Sequence, residues 1–228
     1  MRAILFRFPV DPATLAIYFV VNVIVTPDQD KSIQQVRDDT TMDAISARQF
    51  ESKDVTQKIY NSIFDKPLIM NVMRGYVVEA IIAMVLEPDW KWCSGDYSSW
   101  DFERDDGKRL EVKQSAFKQS WEALPHTKPK PSFDIKARTG RYEKGTIFVK
   151  DPGRAANLYV FAYHGIQDDS ADHRNPEQWE FYVVATSMLP QTQRISIASL
   201  RNKYEPVSIH QLAQRVASVA ALCLPKED

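Results

Sequence analysis

An Asp-Gly pair, Asp106-Gly107, between two short segments of alternating apolar and polar residues constrains this chain more than any other feature. Glycine adopts a positive φ without steric cost, so Asp-Gly in this setting is a strong signal for a tight turn between antiparallel strands. The sequence therefore predicts a β-hairpin over residues 98–114, with residues 105–107 as its loop.

The register of this hairpin decides which side chains meet. With a three-residue loop, Arg104 pairs with Lys108, and Asp101 lies opposite Glu111. Cross-strand partners share a face of the sheet at a Cβ separation of about 4.5–5.5 Å, and Lys113, two residues after Glu111, shares that face. The hairpin would therefore bring two carboxylates and one ammonium together, whereas a loop one residue longer or shorter would turn Asp101 to the other face.

The carboxylates of Asp101 and Glu111 would repel each other unless a cation lies between them. Hard divalent cations such as Mg²⁺ take oxygen ligands, usually one or two carboxylates with waters and substrate phosphates. A lysine beside such a cation can hold or deprotonate the attacking water and can offset charge in the transition state. These residue types indicate metal-assisted hydrolysis of a phosphodiester.

The same residues resemble the motif of the PD-(D/E)XK nuclease superfamily. Asp101 matches the first acidic position, residues 111–113 (Glu-Val-Lys) match the E-x-K on the next strand, and Gln114 follows the lysine as it does in many members. Trp100 replaces the proline of the family name. Asp96 is an alternative first acidic residue, but only Asp101 falls within the predicted strand pair.

This resemblance implies a fold, a metal and a set of roles. The fold is α/β, the restriction-endonuclease-like α-β-β-β-α-β core with a mixed central sheet flanked by helices. The activity is Mg²⁺-dependent cleavage of DNA, of restriction or repair type, with Mn²⁺ as a substitute. Asp101, Glu111 and the carbonyl of Val112 would bind the metal. Lys113 would position or activate the water, and Gln114 would orient the nucleophile or contact the backbone.

A long apolar segment before the hairpin, residues 68–86, predicts a helix that begins near Pro67. Residues 77–82 are apolar nearly all round, so we expect this helix to be buried. Glu79 lies inside it, and a buried carboxylate without a partner is costly. Either Glu79 lies on a narrow polar strip or pairs with Arg74, or it points toward the hairpin. The resemblance implies that Glu79 points toward the hairpin and completes the metal site directly or through water.

After the hairpin, apolar patterning predicts further elements in an order that matches the superfamily core. They are a short helix over 115–124, strands over 133–135, 157–163 and 179–184, a short edge strand at 195–197, and a closing amphipathic helix over 209–224.

Residues 126–154 are the only segment with a clear basic excess, with eight Lys or Arg against three Asp or Glu. Because phosphate contacts dominate nucleic-acid affinity, this segment is a candidate DNA surface. A solvated charged face is the alternative. The candidate DNA contacts are Lys128, Lys130, Lys136, Arg138, Arg141 and Lys144. We expect double-stranded DNA rather than single-stranded DNA.

Composition limits the remaining choices. The chain has 228 residues and a formal net charge of -1, so DNA binding would have to come from a local surface. We expect one domain over residues 42–228 after a poorly defined extension, 1–41. The apolar stretch 15–25 is shorter than the roughly 20 residues that span a bilayer, so we expect no membrane partner. Two distant cysteines favour a reducing, cytoplasmic location. The sequence is compatible with a homodimer as well as with a monomer.

Two further hypotheses remain beside the nuclease. The same fold could serve as a catalytically inactive nucleic-acid-binding or scaffold domain, in which the carboxylates are structural ion-pair partners. The chain could also hydrolyse another kind of phosphodiester.

Overall fold

The computed structural model describes residues 50–93, 98–121, 130–143 and 147–224. The chain divides into two compact units, Met1–Thr56 and Gln57–Asp228, and the sheet lies in the second. The helices of the described part are α1 (Ser52–Phe64), α2 (Asn71–Leu86), α3 (Ile197–Arg201) and α4 (Ile209–Ala221). The extension expected at residues 1–41 lies outside the described residues.

The strands of the described part form one five-stranded sheet and two small two-stranded sheets. They are β1 (Trp90–Trp92), β2 (Phe102–Arg104), β3 (Arg109–Ala116), β4 (Ser132–Asp134), β5 (Arg141–Glu143), β6 (Ile147–Val149), β7 (Leu158–His164), β8 (Trp179–Ala185) and β9 (Arg194–Ser196). The large sheet has the order β1-β2-β3-β7-β8. Only β3 and β7 are parallel, and the other neighbours are antiparallel. The prediction of an α/β fold with a mixed central sheet and helices is therefore confirmed.

Strand β7 is an interior strand of the sheet, between β3 and β8. All seven of its residues are buried, as expected for a strand covered on both faces. On one face, Val160 lies in a core cluster with Val78 and Ile82 of α2 and Leu212 of α4. On the other face, Phe161 lies in a second cluster with residues of β4, β9 and α3. The predicted central strand is therefore correct.

The helix expected over residues 115–124 is wrong in its described part, residues 115–121. Ser115 and Ala116 continue β3 and pair with Tyr163 and His164 of β7, and the Phe117 N–H donates to the His164 carbonyl. The parallel ladder overrides the helical spacing of the apolar residues, because strand pairing satisfies their backbone groups. The described residues between β3 and β7 contain no helix.

Helix α2 begins at Asn71, three residues later than expected. Its buried face carries Val78 and Ile82, whereas Tyr76 and Met84 are exposed. Among the described residues, no helix has both the length and the apolar character needed to cross a membrane.

Candidate active site

The turn of the hairpin has the predicted geometry. Gly107 has a φ of 76°, and its N–H donates to the Arg104 carbonyl at 2.9 Å. The Asp106 carboxylate accepts hydrogen bonds from the Arg104 guanidinium at 2.6 Å and from Lys108 Nζ at 2.7 Å. These two cations hold the pKa of Asp106 well below its usual range. The turn therefore has local interactions that fix its loop length.

The register that follows from this turn is also the predicted one. Phe102 pairs with Leu110 and Glu103 with Arg109, as a three-residue loop requires, and Asp101 directly precedes the paired residues of β2. The Asp101 N–H donates to the Leu110 carbonyl at 3.0 Å, and its carboxylate Oδ2 accepts the Val112 N–H at 2.6 Å. Asp101 is thus attached to β3 by both its main chain and its side chain.

Alternation along β3 separates its core side chains from its site side chains. Leu110 and Val112 lie in the core beneath α2, whereas Glu111 and Lys113 are only half-buried. Lys113 Nζ forms a hydrogen-bonded ion pair with Glu111 Oε1. The two side chains share one face, as the period of a strand requires.

Glu79 of α2 lies close enough to this face to interact with it electrostatically. Its Oε2 accepts a hydrogen bond from Trp92 Nε1 at 3.0 Å. Burial raises the pKa of Glu79, the Trp92 hydrogen bond opposes that rise, and the neighbouring Glu111 charge adds to it. The alternative pairing with Arg74 is absent among the described contacts, in which Arg74 binds three amide oxygens instead.

Asp101 is the most perturbed carboxyl group of the site. Burial, followed by the charges of Glu111 and Glu79, raises its pKa to about 8, although the Val112 N–H and the Lys113 charge oppose the rise. Three mutually repelling carboxyl groups thus share one region with one ammonium group. This arrangement favours either a proton on Asp101 or an added cation.

Lys113 is charged in this environment. Burial alone would lower its pKa, but the charge and hydrogen bond of Glu111, with Asp101 nearby, raise the pKa overall. A lysine that keeps its proton can donate hydrogen bonds to a phosphate oxygen or to a water.

The donor set fits the hard cation that the resemblance implies. No group of three or more His, Cys, Asp or Glu side chains suited to a metal occurs in the described ranges. Mg²⁺, however, usually takes only one or two protein carboxylates and keeps several waters. Asp101 and Glu111 supply two carboxylates. The Val112 N–H faces Asp101. In a β-strand the N–H and C=O of one residue point to the same side, so the Val112 carbonyl also faces the side of β3 on which Asp101 lies.

A cleft of about 550 Å³ opens beside Glu111 and Lys113. Three of the predicted DNA contacts, Lys136, Arg138 and Arg141, line it. We call it the first cleft. Arg138 pairs with Asp134 at 2.7 Å, and Arg141 forms an ion pair with Asp151. Lys136 is exposed. Lys128 and Lys144 lie outside the described residues, as does Asp96.

A second cleft of about 550 Å³ lies beside the C-terminal half of β3, and Lys130 lines it. Gln114 contributes to this cleft because it points away from Lys113, its neighbour on the strand. Its Oε1 accepts a hydrogen bond from Arg74 Nε at 2.7 Å, and its Nε2 donates to the Asn71 carbonyl at 3.1 Å. The structure therefore places Gln114 beside the N-terminal turn of α2.

The position of Arg74 in this cleft was not predicted from the sequence, and Arg194 was not among the candidate residues. Arg74 carried one signal, because it is a lone charge near the start of an apolar helix. Arg194 carried none, because only the pairing of β4 with β9 brings it next to the cleft.

No model of a known protein family matches this chain, and the search of curated proteins found no match either. The function must therefore be argued from the geometry and charge of this site.

Proposed function

We propose that this protein hydrolyses DNA phosphodiester bonds with the help of Mg²⁺, or Mn²⁺ in its place. One observation carries the proposal: Asp101, Glu111 and Lys113 converge on one face of a hairpin, beside a cleft lined by cationic side chains. The carboxylates suit a hard cation, and the cationic cleft suits a polyanionic substrate.

The residues that would hold the cation are Asp101, Glu111 and the carbonyl of Val112, with Glu79 joining directly or through a water. When bound, a divalent cation lowers the pKa of its water and offsets the charge that develops on phosphorus. The raised pKa of Asp101 supports this assignment, because a cation would replace the proton that the free carboxyl group retains.

The chain's own side chains would orient the reacting groups. Carboxylate oxygens of Asp101 and Glu111 can accept hydrogen bonds from the attacking water and direct its lone pair at phosphorus. Lys113 keeps its proton and would donate a hydrogen bond to a non-bridging phosphate oxygen, offsetting charge in the transition state. Gln114, on the opposite face of β3, would act through the DNA backbone rather than on the water.

The DNA backbone would lie along the two clefts. Lys136, Arg138 and Arg141 line the first cleft and Lys130 the second, and the proposal extends this surface to Lys128 and Lys144. The first part of the order supports a restriction-endonuclease-like core: α2 carries Glu79, then β1, β2 and β3 form an antiparallel series, and β3 is parallel to β7. The second helix of that core has no counterpart among the described residues between β3 and β7.

A cleavage assay tests the proposal. Supercoiled plasmid in Mg²⁺ should be nicked or linearised by the wild-type protein. Asp101→Asn and Lys113→Ala should each lower the rate by at least about a hundredfold, since each removes charge stabilisation in the transition state. Asp105→Asn, on the exposed loop of the same hairpin, and Lys203→Ala, on the surface, are matched controls and should cleave normally. Full activity in both site variants would refute the catalytic assignment.

A catalytically inactive nucleic-acid-binding or scaffold domain is the second candidate. The observation that favours it is the Lys113–Glu111 ion pair, which gives both groups a partner without a metal. Calorimetric titration with Mn²⁺ separates the two candidates. The nuclease should bind Mn²⁺ in the wild type and lose that heat in Asp101→Asn, whereas the scaffold should give no such heat.

A further inference from the structure

We propose that the second cleft binds the nucleotide next to the bond that is cut, with its phosphate at Arg74 and Arg194 and its base against Trp121. This inference rests on the proposed function, and it identifies the substrate as a polynucleotide strand rather than an isolated phosphodiester.

Arg74 is a buried cation that has no anionic partner among the described residues. Its side chain is only 2% exposed, yet it makes no ion pair within the described part of the chain. Its three nitrogens donate to amide oxygens of Gln114 at 2.7 Å, Gln119 at 3.0 Å and Asn71 at 2.8 Å. A guanidinium has five N–H groups, so two of them have no acceptor among the described residues, and Arg74 lines the second cleft.

Burying such a charge is costly when no opposite charge compensates it. Burial lowers the pKa of Arg74 only to about 10, so the group remains charged at neutral pH. A bound phosphate would supply the missing charge and can accept two parallel hydrogen bonds from a guanidinium. Arg74 also lies in the first turn of the 16-residue helix α2, where the helix dipole favours an anion.

The remaining charges of the second cleft have the sign that a phosphate requires. Among the described residues that line it, Arg74, Lys113, Lys130 and Arg194 are cationic, and Asp134 is the one carboxylate. The Arg194 guanidinium binds the Ser132 hydroxyl at 2.9 and 3.1 Å and no carboxylate in the described part. The Asp134 charge is already engaged by Arg138 at 2.7 Å.

The two clefts meet at the candidate active site. Lys113 and Asp134 line both clefts. A strand with its cut phosphate at Lys113 can therefore continue into either cleft. In this arrangement one phosphate of the strand contacts Lys113, and the next phosphate contacts Arg74 and Arg194.

Trp121 gives the second cleft a surface for a base. Its side chain is 56% exposed and lines the cleft. Stacking of a base on an exposed aromatic ring is worth about 1–3 kcal/mol and tolerates any sequence. A base can use this ring only where it is not paired in a duplex. We therefore infer that an unpaired nucleotide on this side of the cut bond strengthens binding of the substrate.

Comparing two substrates separates the second cleft from the chemistry. One is a 16-base-pair DNA duplex with a three-nucleotide overhang, and the other is bis(p-nitrophenyl) phosphate, which has a single phosphodiester. Arg194→Ala should lower the ratio of kcat/KM on DNA to kcat/KM on the small diester at least about fivefold, because it removes a contact to a second phosphate. Arg215→Ala, on α4 away from both clefts, is the matched control. A ratio unchanged in Arg194→Ala would overturn the proposal.

Binding measurements test the assignment of the second cleft even if the protein cleaves no substrate. The 16-base-pair duplex with the overhang, now labelled with fluorescein, is bound in Ca²⁺ at several salt concentrations. Loss of one phosphate contact should reduce the slope of log K against log salt by about 0.9. Arg194→Ala should show that reduction, whereas Arg215→Ala should not. If the wild type hydrolyses neither substrate but Arg194→Ala changes the slope, the proposed function fails and the cleft assignment stands.

The role of Arg74 is tested with a substitution that preserves the fold. Gln114→Glu is nearly isosteric and places a carboxylate beside Arg74 Nε. It should keep or raise the free energy of unfolding while lowering duplex affinity about tenfold. The new carboxylate would neutralise the Arg74 guanidinium, which would otherwise bind a phosphate of the DNA. Gln214→Glu on exposed α4 adds the same charge elsewhere and is the control. Wild-type duplex affinity in Gln114→Glu would refute the role of Arg74.

Trp121→Ala tests the base contact with an internal control. It should weaken binding of the duplex with the overhang by about tenfold and leave binding of a blunt duplex within twofold. Equal losses on both probes would refute the stacking of an unpaired base on Trp121.

Discussion

Replacing Asp101 with Asn should make the metal-free protein more stable, although it removes a residue of the candidate active site. The carboxyl group of Asp101 is held among Glu111, Glu79 and apolar surroundings that raise its pKa to about 8. An amide is neutral and its oxygen can still accept the Val112 N–H. The substitution therefore removes the repulsion and keeps the hydrogen bond.

The size of the effect follows from the pKa difference between the folded and unfolded states. One pKa unit corresponds to about 1.4 kcal/mol, so a shift from 3.8 to about 8 costs the folded protein up to about 4 kcal/mol at pH 7. Relaxation of nearby side chains and water reduces this cost. We therefore expect Asp101→Asn to raise the free energy of unfolding by about 2 kcal/mol.

The pH dependence has a defined sign. An acid whose pKa is higher in the folded state stabilises the fold at low pH, and that stabilisation is lost as the pH rises from about 4 to about 8. Urea unfolding of both proteins in EDTA, at pH values from 5 to 8, should show a difference that grows with pH. Groups that do not interact with residue 101 cancel from this difference.

Divalent metal should reverse the ranking of the two proteins. A ligand at a hundred times its Kd stabilises the folded state by about 2.7 kcal/mol. Mg²⁺ or Mn²⁺ should therefore stabilise the wild type and leave Asp101→Asn almost unchanged. The reasoning is refuted if Asp101→Asn is less stable than the wild type in EDTA, or if the two pH profiles run parallel.

Three further changes test the surroundings of the site. Gly107→Ala forces a side chain onto a φ of 76° and should lower the free energy of unfolding in urea by about 1 kcal/mol. Trp92→Phe removes the hydrogen bond to Glu79, which should raise the pKa of Glu79 further and weaken Mn²⁺ binding severalfold in calorimetry. Burial lowers the pKa of His173 to about 4, so the fold keeps the full contribution of the neutral ring above about pH 6.5 and loses it as the pH falls toward 4. In the Asp101→Asn background, urea unfolding at pH 4.5 should therefore give a free energy about 2 kcal/mol lower than at pH 7.

The hairpin could be predicted from sequence because its determinants are local. Asp106-Gly107 fixes the loop, the loop fixes the register, and the period of a strand then assigns Glu111 and Lys113 to one face. Each step involves residues close together in the chain. The convergence of Asp101 with Glu111 follows without any knowledge of the distant parts of the sheet.

The elements that were wrong or incomplete depend on distant partners. Ser115 is a strand residue because it pairs with Tyr163, which lies far along the chain. Helical spacing places Tyr76 and Met84 on the main apolar face of α2, but both are exposed. Apolar residues surround the helix, so spacing alone does not distinguish the buried Val78 from the exposed Met84. Packing against β3 and α4 makes that choice.

Strand β3 joins the two parts of the site because neighbouring residues on a strand point in opposite directions. Lys113 turns toward the carboxylates, and Gln114 turns toward Arg74. The site on one side has an excess of buried negative charge. The cleft on the other side has a buried positive charge, Arg74, to which the described residues offer no counter-ion. Both charges are costly to the fold alone. A divalent cation on the first side and a phosphate on the second would offset them, and a DNA strand that passes Lys113 can bring both to the protein together.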